Sequence, residues 1–159
     1  IIMAEGNHDI ASSVWMREWL AVLYADEPRV TVDNSADIYY CYEFGNTCLF
    51  YHHGHKKKLA QTDSVFVGKF REQYGRTKHH YAHMGHLHHD VVRETNLMKV
   101  EQHRTLAAPD AHASRGGWMS GRDAKVITYH KEFGKVGELT ISPAMLASKE
   151  TEAKAGAAK

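Results

Sequence analysis

The stretch Cys48-Leu49-Phe50-Tyr51-His52-His53-Gly54-His55 decides how the rest of the chain is read. Its apolar residues run without alternation, as they do in a strand buried on both faces. The run then empties into histidines around a glycine. Residues 37–44 form a strand-like partner before it, and the intervening Gly45-Asn46 suits a tight hairpin, so strands are expected at 37–44 and 47–52. Further on, a short strand around residues 80–84 empties into Gly85-His86-Leu87-His88-His89. At the start, residues 1–4 read as the end of a buried strand, and Gly6-Asn7-His8-Asp9 lies in the loop leaving it. Three times, then, an apolar strand ends at a cluster of glycine and histidine. In layered α/β proteins ligands bind beyond the carboxyl ends of strands, so three such clusters on neighbouring strands would meet at one place.

The other expected elements follow from periodicity and breakers. A helix is predicted over residues 10–24, with Val14, Trp15, Leu20, Leu23 and Tyr24 on its apolar face and Ser12 or Ser13 as its cap. Pro28 stops it. A short strand at 29–32 and a turn at Asp33-Asn34-Ser35 come next. A second helix is predicted over 63–74, turning Val65, Phe66, Phe70 and Tyr74 inward and closed by Gly75. Further strands are expected at 98–102, 124–130 and 135–141, with Arg115-Gly116-Gly117-Trp118 as a loop. Trp15, Trp19 and Trp118 read as core residues, and His103, His112 and His130 as structural or surface ones. The layout is one α/β (α+β) domain over residues 1–147, with 148–159 as a frayed or disordered tail.

Bulk properties narrow the function classes. A chain of 159 residues with a formal net charge of +1 offers no global electrostatic attraction to nucleic acid or membrane. No apolar run approaches the ~20 residues of a membrane span. Cys41 and Cys48 flank the hairpin, and two cysteines make no disulfide framework, so a reducing cytoplasmic setting is expected. The 13 histidines are what stands out, because histidine is the commonest metal ligand and titrates near neutrality.

Each cluster has chemistry to offer. The Asn7 side-chain oxygen can bind a divalent cation, leaving His8 for acid chemistry with Asp9 to hold its ring. The same tetrapeptide also serves as an ordinary capped loop. Gly54 lets the backbone turn sharply between His53 and His55. Lys56, Lys57 and Lys58 follow, however, and a solvated basic loop reads the same way. His86 and His88, one residue apart on an extended segment, would point to one side and serve one metal or two adjacent ones. With His79, His80, His83 and His89 nearby, a merely histidine-rich stretch would look alike.

Taken together and in order, Gly6-Asn7-His8-Asp9, His53-Gly54-His55 and Gly85-His86-Leu87-His88 resemble the second half of the calcineurin-like metallophosphoesterase signature. The resemblance spans residues 1–89. It continues weakly through Gly116-Gly117-Trp118 and residues 129–134, which look similar to phage-encoded members. It implies a four-layer αββα sandwich and a dinuclear centre of divalent transition ions (Mn, Fe, Ni or Zn) hydrolysing phosphate esters. Asn7, His53 and His86 would hold one ion and His88 the other. His8 would be the acid, Asp9 its orienting partner, and His55 a substrate contact. The family's Asp-x-His and Gly-Asp elements would lie before Ile1, so the N-terminal part of the fold is expected to be missing. A single ion at Asn7, His53 and His86 is then the expectation for this chain, with hydrolysis by the chain alone weak or absent and an exposed sheet edge that invites a homodimer. A phosphodiesterase or nuclease is the implied type, with Lys56–Lys58 and Arg71 available to DNA, and a small-molecule phosphomonoesterase or phosphodiesterase is equally open. A metal-holding scaffold without catalysis, or adventitious metal capture around His79 and His80, stays open as an alternative.

Overall fold

A computed structural model of the chain describes residues 1–108 and 119–147. The expected loop at 115–118, with Trp118 and His112, and the expected tail at 148–159 lie outside the described residues. In chain order the elements are α1 (Ile10–Leu23), β1 (Tyr40–Phe44), β2 (Thr47–His52), α2 (Leu59–Lys69), α3 (Arg71–Arg76), β3 (His79–Met84), β4 (Val91–Glu94), β5 (Lys99–Gln102), β6 (Ala124–His130) and β7 (Gly134–Ile141).

Five strands form one mixed sheet in the order β1-β2-β3-β5-β4, while β6 and β7 pair separately. The hairpin forms as its turn residues dictate. Gly45 takes φ +60°, and Tyr40 to Phe44 run antiparallel to Tyr51 to Thr47. The three central strands β2, β3 and β5 are parallel, with His52 opposite Met84 and His83 opposite Glu101. Their carboxyl ends therefore share one edge of the sheet. The outer strands β1 and β4 are antiparallel to their neighbours.

The unalternating run of β2 is buried on both faces, as its composition demands. On one face Cys48, Phe50, Ala82, Met84 and Val100 pack with Phe66 of α2, and Phe70 and Tyr74 close the cluster. On the other face lies the β6–β7 hairpin, joined through Tyr81–Tyr129 ring contact and through Lys135 N–H donating to Tyr81 Oη at 2.9 Å. Gly134 at φ +72° is required there, because a Cβ would fall on Tyr81 Oη. The Cys41 and Cys48 thiols lie 3.0 Å apart on the core face, within hydrogen-bond distance, and form no disulfide.

Several expectations are corrected. Residues 1–4 form no assigned strand; Ile1 hydrogen-bonds to Thr31 and Asp33, and no ladder extends from it. Residues 29–32 are also irregular, held instead by the Glu27–Arg29 pair. The single helix expected at 63–74 starts earlier, at Leu59, and breaks at Phe70 (φ −118°, ψ 47°) into α2 and α3, so Gly75 lies inside α3. The break turns the Phe70 ring into the core. Ser12 and Ser13 do not cap α1: Asp9 holds the N-cap position, and both hydroxyls donate to carbonyls of the first turn. Strand β4 was not expected, because Val91-Val92-Arg93-Glu94 carries too little apolar pattern to stand out from a loop.

The largest correction concerns α1. Its buried residues are Ser13 and Arg17, while Trp15 and Trp19 are 76% and 57% exposed and so are not core. Arg17 donates to Tyr40 Oη at 2.9 Å and pairs with Glu5 at 3.6 Å, which draws the polar face inward. The described residues thus build three layers: helices α2 and α3, the five-stranded sheet, and the two-stranded hairpin. The four-layer sandwich is not among them.

Candidate metal centre

The parallel register of β2 and β3 brings two of the histidine clusters together. Beyond the strand ends, Gly85 N–H donates to His53 O at 2.9 Å, tying the two loops. Gly54 sits at φ +112°, and a Cβ there would approach Gly85 O and the His86 Cβ, each at 3.2 Å. Only glycine lets the loops close this far. The rings of His53 and His86 stand 5.2 Å apart, His53 and His55 5.5 Å, and His55 and His86 6.4 Å.

The third cluster joins through Gly6, which is buried. A Cβ on Gly6 would meet Asp9 Oδ1 at 2.9 Å and the His53 ring at 3.1 Å, so this loop lies directly against His53. Asn7, His8 and Asp9 themselves are exposed. Asp9 Oδ1 accepts the Gly6 N–H at 2.7 Å, so one oxygen of that carboxylate is committed to holding the loop.

His86 and His88 depart from expectation. Their segment is not extended: both residues adopt left-handed backbone, at φ +70° and +56°. Such conformations cost a histidine about 1 kcal/mol or more each and cluster where structure serves a site. His88 is exposed, while His86 is half-buried and turned toward His53.

The electrostatics keep the imidazoles neutral, which is the form that ligates metals. Burial, followed by the proximity of His86 and His55, pushes His53 down to about 4. Burial also lowers His55, His86 and His52. His55 Nδ1 and His52 Nε2 are buried with no hydrogen-bond partner. His52 is otherwise occupied, bonded to Ile38 O at 3.0 Å and stacked on Tyr39, so His53 is the better placed of that pair to be a ligand. Three imidazoles thus stand side by side, one with an orphaned buried nitrogen, but their donor atoms do not all lie within 4.8 Å of one another, so the rings would have to close further to share an ion. His79 and His80 do not resemble a capture site, since their Nε2 atoms already bond Glu132 O, Thr77 and Tyr74 O.

A second cluster, absent from the sequence reading, lies under the hairpin. His83, Glu101 and His103 are, among the described residues, the group of three ionisable ligand types whose donor atoms all fall within 4.8 Å of one another. His103, expected to be merely structural or superficial, takes part through a 2.8 Å bond to His83. The parallel pairing of β3 and β5 places His83 beside Glu101, a proximity no local motif announces.

No family model matches the chain, and no curated protein matches it. Among solved structures it is similar to a conserved uncharacterized protein, a predicted phosphoesterase, from Streptococcus pneumoniae TIGR4. The identity is 12%, with 89% of this chain and 95% of that chain covered and a TM-score of 0.37. A superposition that loose carries no argument about fold or activity.

Proposed function

We propose that the chain is part of a metal-dependent hydrolase of phosphate esters. The observation that supports this best is the convergence of His53, His55 and His86 at the shared carboxyl edge of two parallel strands, with the Gly6–Asp9 loop packed on His53. Asn7, His53 and His86 would hold one divalent ion, and His88 would reach a second. Bound ions of this kind neutralise the phosphate and acidify water for attack on phosphorus. The chain's own groups do the rest. His8, exposed at the rim, protonates the leaving oxygen, and Asp9 fixes the loop that carries it. His55, beside His53 and His86, would contact the phosphate. Left-handed backbone at residues 86 and 88 sets the direction from which the two side chains would approach the ions. The substrate is a phosphodiester, with nucleic acid drawn by Lys56–Lys58 as the form to test first.

The reading is tested by metal analysis of the purified chain alongside turnover of a chromogenic phosphodiester and of DNA. The expected result is bound metal with weak metal-dependent hydrolysis, His53→Ala losing metal and rate together and His8→Ala keeping metal while losing rate. Unchanged metal content in His53→Ala would overturn the ligand assignment. Tight metal binding without hydrolysis of any ester would favour a metal-holding scaffold that binds a partner.

A further inference from the structure

We propose a second, independent site for a transition dication, with Zn2+ as the ion that suits it best, formed by His83, Glu101 and His103 beneath the β6–β7 hairpin. The three side chains come from two parallel strands and the residue just beyond one of them, so the sheet holds them with no loop to order. His83 Nδ1 and His103 Nε2 lie 2.8 Å apart, and the Glu101 carboxylate completes a group whose donor atoms are all within 4.8 Å. Tetrahedral bonds of ~2.0–2.1 Å require nitrogens roughly 3.3 Å apart, so the rings need to part by only about half an ångström.

The surroundings favour an ion in three ways. His83 Nε2 lies 2.7 Å from Tyr129 Oη, the outer hydrogen bond that fixes the orientation of a metal-bound imidazole. Glu101 is fully buried, and Lys135 and Lys99 keep it ionised through contacts of 2.9, 3.2 and 3.4 Å. A carboxylate offers about four lone-pair positions, so three such contacts leave one for a metal. Around it, Lys125 and Lys135 are also paired with Glu138 and Asp90, which offsets part of their charge near the site. Two imidazoles and one carboxylate select zinc or cobalt over magnesium or calcium. The fourth position faces a groove of about 640 Å³ lined by His83, His103, Tyr51, Arg104, Lys125 and Tyr129, so solvent or a small anion can complete the coordination.

The site is distinct from the centre at the strand ends, and its test removes that centre first. In a His53→Ala/His86→Ala chain, cobalt titration followed by equilibrium dialysis should still find one Co2+ per molecule, with the visible absorption of a low-coordinate nitrogen and oxygen site. Adding His103→Ala should weaken binding at least ~10-fold, and Tyr129→Phe by a similar factor through the lost outer contact. Near-UV circular dichroism reports whether each variant keeps its packing. If His103→Ala fails to fold, Tyr129→Phe and Glu101→Gln decide alone. Absence of tight Co2+ binding in the double variant, or binding that none of these substitutions weakens, would overturn the site. In the unaltered background His53→Ala should leave one Co2+ bound, and loss of all binding there would overturn the hairpin site.

Discussion

The strand-end histidines and the histidines under the hairpin use one residue type in opposite ways. His53, His55 and His86 are held by backbone: close-packed glycines and left-handed φ angles place rings that make few side-chain bonds. His83 and His103 are held by side chains: a 2.8 Å bond to each other, a 2.7 Å contact to Tyr129, and a buried ion-pair network around Glu101. Burial pushes His53 and His83 alike down to about 4. Their titration therefore does not distinguish the two regions, but their dependence on neighbours does. Breaking a glycine should hurt the first, and breaking a charge should hurt the second.

The sharpest break is Lys135→Ala. It strips the fully buried Glu101 of its nearest cation and should destabilise the fold by about 3 kcal/mol, seen as an earlier midpoint in urea, with the strand-end rings undisturbed. Acid should strain both regions together. Both imidazoles are held below the ordinary value of 6.5, so between pH 6.5 and about 4 the unfolded chain takes up protons that the metal-free folded chain refuses. Stability is then complete above that window and falls as pH drops through it. Urea midpoints across pH should show this, and His83→Gln should flatten the slope. Gly54→Ala, strained by φ +112° and crowded by Gly85 and His86, should cost about 2 kcal/mol and weaken metal binding at the strand ends while sparing the hairpin site. The smallest expected effect has the opposite sign. His88→Gly relieves a left-handed residue and should raise the thermal midpoint by the equivalent of about 1 kcal/mol.

What could be read from the sequence was what depends on near neighbours. The hairpin at Gly45-Asn46 and the doubly buried β2 each declare themselves within a few residues and take the expected form, whereas the glycine–histidine loops were legible as loops but His86 and His88 turn left-handed instead of extended. The orientation of α1 could not be read this way. Periodicity identifies its apolar stripe, but Arg17 is drawn inward by Tyr40 and Glu5, residues that periodicity within the helix does not connect to it. The split of α2 from α3 at Phe70 answers to the core that its ring enters, not to a breaker. The same limit hid the His83–Glu101–His103 cluster, whose members meet only once β3 and β5 are placed in register. An alternation test on β3 would have been a signal, since His83 falls between the buried Ala82 and Met84 and so must face the other layer.

The outward stripe of α1 also has a spectroscopic consequence. Two of the chain's three tryptophans, Trp15 and Trp19, stand largely in water in the folded state. Their emission should already be red-shifted and open to quenching by iodide before any denaturant is added. Emission from these two tryptophans is therefore a poor gauge of core unfolding, and tyrosine or far-ultraviolet signals are the better choice. It is a good gauge of anything that comes to cover the helix, because a blue shift would report that event directly, independently of either histidine cluster.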